Sequence, residues 1–184
     1  MKNTILLSFL VFINCSNVEQ KEKIENVKKT IELSIKRSSS CVNKMIRAIN
    51  EKKLKGIDNT NELKDLYDKS YITIKACRKL IEDLENIDSK IDLQKEGLSY
   101  IKFCENGLTK FFKPIIETSM QNLSNNTKLL REMFVFIQSG LETSQKMNDS
   151  LLEFCQEHGL KKEIEEFDKT KFDDKISEIE KIVK

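Results

Sequence analysis

The sequence predicts an all-α protein, built as an antiparallel bundle of four long helices plus a short C-terminal helix. Three observations support this prediction. The 184 residues include only five glycines and one proline, too few turn residues for a β-sandwich or barrel. Charged residues make up 34% of the chain, and its 39% of hydrophobic residues make it too apolar to be disordered. Apolar residues also recur at spacings of three, four and seven along most of the chain.

The first two long helices are predicted on either side of Gly56, which supplies a helix stop. The first covers about residues 19–54, with an apolar stripe of Ile24, Val27, Ile31, Ile35, Val42, Met45 and Ile49. The second begins at a capping box formed by Asn59 and Glu62. Its inward face is predicted to carry Leu63, Leu66, Ser70, Ile74, Cys77, Ile81 and Leu84.

The third long helix is predicted to open at Ser89 and Asp92, three residues apart, by the same capping-box logic. Its stripe consists of Leu93, Gly97, Ile101, Cys104, Leu108, Phe111 and Ile115. Pro114 removes one backbone donor and is expected to kink or split the helix. The polar residues 121–127 are predicted to form the next loop.

The fourth long helix is predicted from Thr127 to His158 and is expected to end at Gly159 in a left-handed cap. Its inward residues are Leu130, Phe134, Ile137, Leu141, Leu151 and Cys155. A shorter C-terminal helix follows, marked by Leu160, Ile164, Phe167, Phe172, Ile176, Ile179 and Val183. Helices of about 30 residues are rods of about 45 Å, which bury their stripes most simply by lying antiparallel.

The N-terminus carries a targeting pattern. Lys2 precedes an apolar run over residues 5–13, which is too short to cross a membrane as a helix but has the length of a signal-peptide core. The run ends in Phe12-Ile13-Asn14-Cys15, followed by polar residues. The sequence lacks the small residues that an ordinary secretory cleavage site requires.

This tetrad resembles the lipobox of bacterial lipoproteins, in the relaxed form found in spirochaetes and especially in leptospiral proteins. The common lipobox has Leu three residues before the cysteine and Gly or Ala just before it, whereas this chain has Phe12 and Asn14. The resemblance covers about the first 17 residues and implies a signal peptide over residues 1–14 and a lipidated Cys15, which begins a tether over residues 15–22. Helical periodicity places the bundle domain over residues 23–184. The alternatives are that Cys15 ends a plain signal peptide or lies in a buried strand.

Four further cysteines, Cys41, Cys77, Cys104 and Cys155, fall one on each long helix. In an exported protein such an even number favours two disulfides. Counting from the turns places the first three at similar depth, which favours pairing Cys41 with Cys77 and Cys104 with Cys155. Straight helices separate the members of the second pair by about 15–20 Å, so either the region of Pro114 shifts the register or Cys155 pairs with nothing. Alternatively, all four are buried thiols that pack as small hydrophobes.

The sequence offers few catalytic groups. His158 is the only histidine, so neither a Ser-His-Asp triad nor a di-iron bundle with two Glu-x-x-His motifs can be assembled. Cys155 and His158 are three residues apart, but a structural zinc site needs four ligands. A formal net charge of +2 does not indicate nucleic-acid binding. We therefore expect no enzyme activity, no metal and no cofactor.

The predicted function is that of a lipid-anchored lipoprotein of the cell envelope, held at the outer membrane on its periplasmic or surface face. Its role is expected to be the binding of a surface partner or host molecule. The alternatives are a periplasmic carrier of a hydrophobic ligand and a structural envelope protein. The carrier would use a pocket opened by Gly97, Gly107, Gly140 and Pro114. That pocket would be lined by aromatic residues that otherwise form core, namely Phe103, Phe111, Phe112, Phe134, Phe136 and Phe154.

Overall fold

The structure is a computed structural model that describes the backbone of residues 2–55, 60–118 and 127–161, and the side chains of residues 18–51, 61–118 and 127–161. Within these ranges every regular element is helical. The elements are α1 (Lys2–Lys55), α2 (Thr60–Glu82), α3 (Leu93–Gly107), a π-helical turn (Leu108–Phe112), α4 (Lys113–Glu117) and α5 (Thr127–Glu157). The all-α prediction is confirmed. The predicted C-terminal helix, the stop at Gly56 and most of the predicted loop lie outside the described residues.

Two helix ends are fixed by local signals: α3 begins after Asp92 rather than at the predicted Ser89, and α5 ends at Gly159 as predicted. The side chain of Asp92 caps α3 by accepting a hydrogen bond of 2.9 Å from the backbone N–H of Lys95. Gly159 ends α5 with a φ of 62°, and the following Leu160 N–H donates to the Cys155 carbonyl at 2.8 Å. This left-handed cap favours glycine because a Cβ is disfavoured at positive φ.

Successive long helices run antiparallel. Lys23 near the start of the bundle part of α1 pairs with Glu85, just after α2, at 3.3 Å. Glu96 early in α3 pairs with Lys146 late in α5 at 2.8 Å. Helices α1, α2 and α3 contact one another, while α5 packs mainly on α3. The bundle therefore has a three-helix centre flanked by α5 rather than four helices with equal contacts.

The buried stripe of α1 differs from the predicted one. Ser34 and Ser38 are fully buried, whereas Ile35 and Val42 are half-buried at the edge of the core. The inward positions of α1 after Ile31 are Ser34, three residues later, and Ser38, four residues after that. This spacing keeps one narrow seam facing α2 and α3, and it leaves the neighbouring apolar residues at the flank.

The helix is interrupted just before Pro114 by the π-helical turn. The N–H of Lys113 donates to the Leu108 carbonyl, five residues earlier, and α4 begins at Lys113. Pro114 thus stands in the first turn of α4, where its missing N–H is not needed. Because the turn is wider, Phe112 rather than the predicted Phe111 is fully buried.

The backbone of α1 runs without a break from Lys2 to Lys55 and so includes the residues predicted as signal and tether. The division of the chain at Cys15 stays a prediction. In the part of the chain that the structure describes, no helix combines the length and apolarity needed to cross a membrane.

Candidate functional site

The centre of the bundle contains three thiols, one each from α1, α2 and α3, which we call the thiol cluster: Cys41, Cys77 and Cys104. Cys77 and Cys104 are each 2% exposed, and Cys41 is half-buried. Burial, together with the nearby Cys41 and Cys77, raises the pKa of the Cys104 thiol to about 12. The three thiols are therefore close enough to interact electrostatically.

Two contacts between helices fix the level of this cluster. The hydroxyls of Ser39 on α1 and Tyr100 on α3 share a hydrogen bond. Arg78 on α2 donates from Nη1 to Oε2 of Glu105 on α3 at 3.2 Å. Each cysteine of the cluster lies within about one helical turn of one of these contacts. The common depth that the sequence predicts for these three cysteines matches this arrangement.

Cys41 is directed at α2. Burial raises the pKa of the Cys41 thiol, and hydrogen bonding by the side chains of Ser70 and Thr73 opposes this rise only in part. Ser70, Thr73 and Cys77 follow one another at spacings of three and four, so they share one face of α2. The sulfur of Cys41 thus lies over the face that carries Cys77.

Cys155 lies far from this cluster. The Glu96–Lys146 pair fixes the antiparallel register of α3 and α5, and it puts Cys104 opposite about residue 138. Cys155 is then about 25 Å farther along α5, whereas a disulfide allows Cα atoms at most about 7 Å apart. The predicted Cys104–Cys155 disulfide does not form in this arrangement. Cys104 lies in α3, ahead of the π-helical turn and Pro114, so the disruption there does not shift its register against α5.

All four of these cysteines carry thiols in the structure. The alternative prediction of thiols packed as small hydrophobes describes Cys77, Cys104 and Cys155, which are buried, better than it describes Cys41. The predicted pairing of Cys41 with Cys77 joins two members of the thiol cluster and stays a prediction.

Sequence reasoning missed the buried serines beside the cluster. Ser34 and Ser38 are 1% and 0% exposed, and within the described residues neither Oγ has a hydrogen-bond partner. An unsatisfied buried hydroxyl costs about 1–3 kcal/mol. The available signal is their spacing to Cys41, because the three residues recur at four and three and so continue one seam.

A second feature, the phenylalanine stack, consists of Phe103, Phe111 and Phe136. The ring of Phe136 lies 4.4 Å from that of Phe103 at an interplanar angle of 17°, and 5.1 Å from that of Phe111. Phe103 and Phe111 are half-buried, so one side of the stack faces solvent. Phe112 meets Phe136 edge-on at 6.5 Å from within the core.

The glycines of α3 and α5 admit neighbouring side chains. A Cβ on Gly107 would lie 2.2 Å from Cζ of Phe136, so that ring covers the glycine directly. Atoms of Ile31 and Phe103 lie 3.2 Å and 3.4 Å from the Cβ positions of Gly97 and Gly140. The predicted pocket at these glycines is therefore filled by the side chains of the bundle itself. Of the remaining predicted aromatic residues, Phe154 is buried and Phe134 is half-buried.

The C-terminal end of α5 is tied to the α2–α3 connection. Glu157 accepts hydrogen bonds from the Lys90 N–H at 3.0 Å and from Ser89 Oγ at 2.8 Å, and these bonds lower its pKa. Ser89 therefore binds α5 and does not cap α3. His158 packs its ring 4.5 Å from Phe154. Among the residues with described positions, no group of three or more His, Cys, Asp or Glu side chains is placed to hold a metal ion.

Cys15 lies on α1, and its side chain is outside the described residues. Residues 18–23 of the same helix are exposed, and Ile24 is the first buried residue that follows. We call residues 18–23 the exposed segment. At 1.5 Å per residue, Cys15 precedes the bundle by about 14 Å along the helix.

Comparison of the chain with protein-family models, with curated proteins and with solved structures found no match.

Proposed function

We propose that this chain is a lipid-anchored lipoprotein of the cell envelope that binds a protein partner and performs no catalysis. The observation that carries this proposal is the lipobox-like tetrad ending at Cys15, which stands on the helix that leads straight into the bundle. A cysteine with two or more acyl chains, such as palmitate, anchors a protein stably without a membrane-spanning helix. The proposed location is the outer membrane, with the bundle on its periplasmic or surface face.

The direction of α1 supports an orientation for the anchored bundle. The exposed segment precedes the core, and Lys23 at its end pairs with Glu85, which follows the last residue of α2. A lipid on Cys15 would therefore lie beyond the end of the bundle that holds the α2–α3 connection and the last turn of α5. The π-helical turn and α4 form the opposite, membrane-distal end.

The phenylalanine stack lies toward the membrane-distal end and is the proposed contact surface. Two of its rings are half-buried, and Val135 beside Phe136 is 61% exposed. Aromatic residues are enriched at protein interfaces and at their energetic centres. The carrier alternative needs space inside the bundle, and the side chains that cover Gly97, Gly107 and Gly140 favour a surface role instead.

The anchor is tested by replacing Cys15 with serine and separating membrane from aqueous fractions. We expect the parent protein to partition with membranes and detergent, and Cys15→Ser to lose that partitioning. Cys41→Ser is the matched control, since it removes a thiol that lies within the bundle, and it should partition like the parent. Unchanged partitioning of Cys15→Ser would contradict lipid anchoring.

The contact surface is tested with a photo-crosslinking amino acid placed at Phe111 in the full chain in cells. The control is the same amino acid at Glu85, whose side chain is 72% exposed at the opposite end of the bundle. We expect one specific adduct from position 111, reduced by Val135→Asp, and no such adduct from position 85. Equal adducts from both positions, or none from either, would contradict this surface and favour the structural alternative.

A further inference from the structure

We propose that Cys41 and Cys77 are an oxidant-sensitive pair, in which Cys41 meets a hydroperoxide from solvent and Cys77 completes a disulfide, while Cys104 and Cys155 stay reduced. The inference goes beyond the proposed function, because it depends only on the arrangement of the described helices. It holds whether or not Cys15 carries a lipid.

Exposure selects Cys41 as the thiol that reacts first. It is half-buried, whereas Cys77 and Cys104 are each 2% exposed. The hydroxyl groups of Ser70 and Thr73 also hydrogen-bond its sulfur, so the site is polar on the side that faces α2. A hydroperoxide reaching the bundle from water therefore meets Cys41 before the other members of the thiol cluster.

Direction and hydrogen bonding select Cys77 as the second thiol. Cys41 lies over the face of α2 that carries Cys77. On that face Cys77 follows Thr73 by one helical turn. Cys104 lies on a different helix, α3, where the side chain of Tyr100 engages its sulfur. The register of α3 and α5 holds Cys155 about 25 Å from the level of Cys104.

The reaction balances with hydrogen peroxide as the oxidant. The Cys41 sulfur attacks one peroxide oxygen, the O–O bond breaks, and sulfenic acid and one water are formed. The Cys77 sulfur then attacks the sulfenic sulfur, the S–O bond breaks, and the hydroxyl leaves with a proton as a second water. Two thiols lose two electrons in total, and one peroxide is reduced to two waters. The product links α1 to α2.

Tryptic mapping can read the pairing directly, because each cysteine falls on its own peptide. These peptides cover residues 38–44, 76–78, 103–110 and 147–161. The full chain carrying Cys15→Ser is treated with hydrogen peroxide, alkylated while folded and again after denaturation, and digested without reduction. We expect peptide 38–44 linked to peptide 76–78, with the other two recovered fully alkylated.

Matched variants separate the two proposed roles. Cys77→Ser should leave Cys41 as a sulfenic acid that a cyclic 1,3-diketone traps, and Cys155→Ser should form the same bond as the parent. A bond from Cys41 to Cys104 would overturn the choice of Cys77, and any bond to Cys155 would overturn the register. Recovery of Cys41 as an unoxidised thiol, at peroxide concentrations that oxidise glutathione, would overturn the proposal as a whole.

Discussion

Replacing Gly107 with alanine probes the tightest packing in the bundle. The new Cβ would lie 2.2 Å from Cζ and 2.6 Å from Cε1 of Phe136. That ring is restrained by Phe103 at 4.4 Å and Phe111 at 5.1 Å, so it cannot move aside freely. Overpacking costs about 1–3 kcal/mol, while alanine gains about 0.5–1 kcal/mol over glycine within a helix. We expect Gly107→Ala to lower the free energy of unfolding by about 1–2 kcal/mol.

Gly140→Ala is the matched control for this prediction. Its Cβ would meet Phe103 Cζ at 3.4 Å, an ordinary contact, so the helix gain should dominate and stabilise the protein by about 0.5–1 kcal/mol. Both variants are measured in the fragment Ser16–Lys184 by urea unfolding, followed by circular dichroism. Adding Phe136→Leu to Gly107→Ala should recover part of the loss. Equal unfolding midpoints for the two glycine variants would refute the position of the Phe136 ring.

Three further predictions concern buried polar groups and charge. Ser38→Ala should raise the free energy of unfolding, because it removes an unsatisfied buried hydroxyl. Ser39→Ala should lower the free energy of unfolding by about 1 kcal/mol, because it removes the hydrogen bond to Tyr100. Effects of the opposite sign, measured by urea unfolding, would contradict the inward position of Ser38 and the contact of Ser39. Ile74→Asp at a fully buried position should cost several kcal/mol, while Ile72→Asp at 67% exposure should change stability by less than about 0.5 kcal/mol. The lowered pKa of Glu157 means that its stabilisation is present above the ordinary carboxyl pKa of about 4.3 and is lost as the pH falls through the folded value. The stability advantage of the parent over Glu157→Gln, measured by urea unfolding at a series of pH values, should therefore shrink on acidification, and a constant difference would contradict the Glu157 contacts.

The sequence predicts well what is decided locally. The period of α2 correctly predicts most of its inward face. Leu66 and Leu84 are half-buried at the edge of the core, and the other predicted residues are buried, namely Leu63, Ser70, Ile74, Cys77 and Ile81. The left-handed cap at Gly159 forms as predicted, because it depends on the residue itself and on backbone groups within one turn. The capping box predicted at Ser89 and Asp92 does not form; Asp92 alone caps α3, while Ser89 binds Glu157. The sequence therefore predicts features that depend on neighbouring residues, namely the helix period, the cap at Gly159 and the disruption near Pro114.

The features that the sequence does not predict are those that depend on contacts between different helices. The apolar period of α1 predicts that Ile35 faces inward. The contacts of α1 with α2 and α3 bury Ser34 instead. The cover of Gly107 by Phe136 joins residues on different helices, and no pattern within one helix encodes it. The position of Cys155 likewise follows from the register between α3 and α5, which is set by side-chain pairs such as Glu96 with Lys146.

The N-terminal peptide of the protein purified from membranes tests lipid anchoring most directly. Its mass after tryptic digestion identifies both the processing site and any modification of Cys15. We expect a peptide of residues 15–21 that carries a thioether-linked diacylglycerol on Cys15 and an amide-linked acyl chain on its amino group. A peptide in which Cys15 has an unmodified thiol, whether processed at another bond or not processed at all, would contradict it.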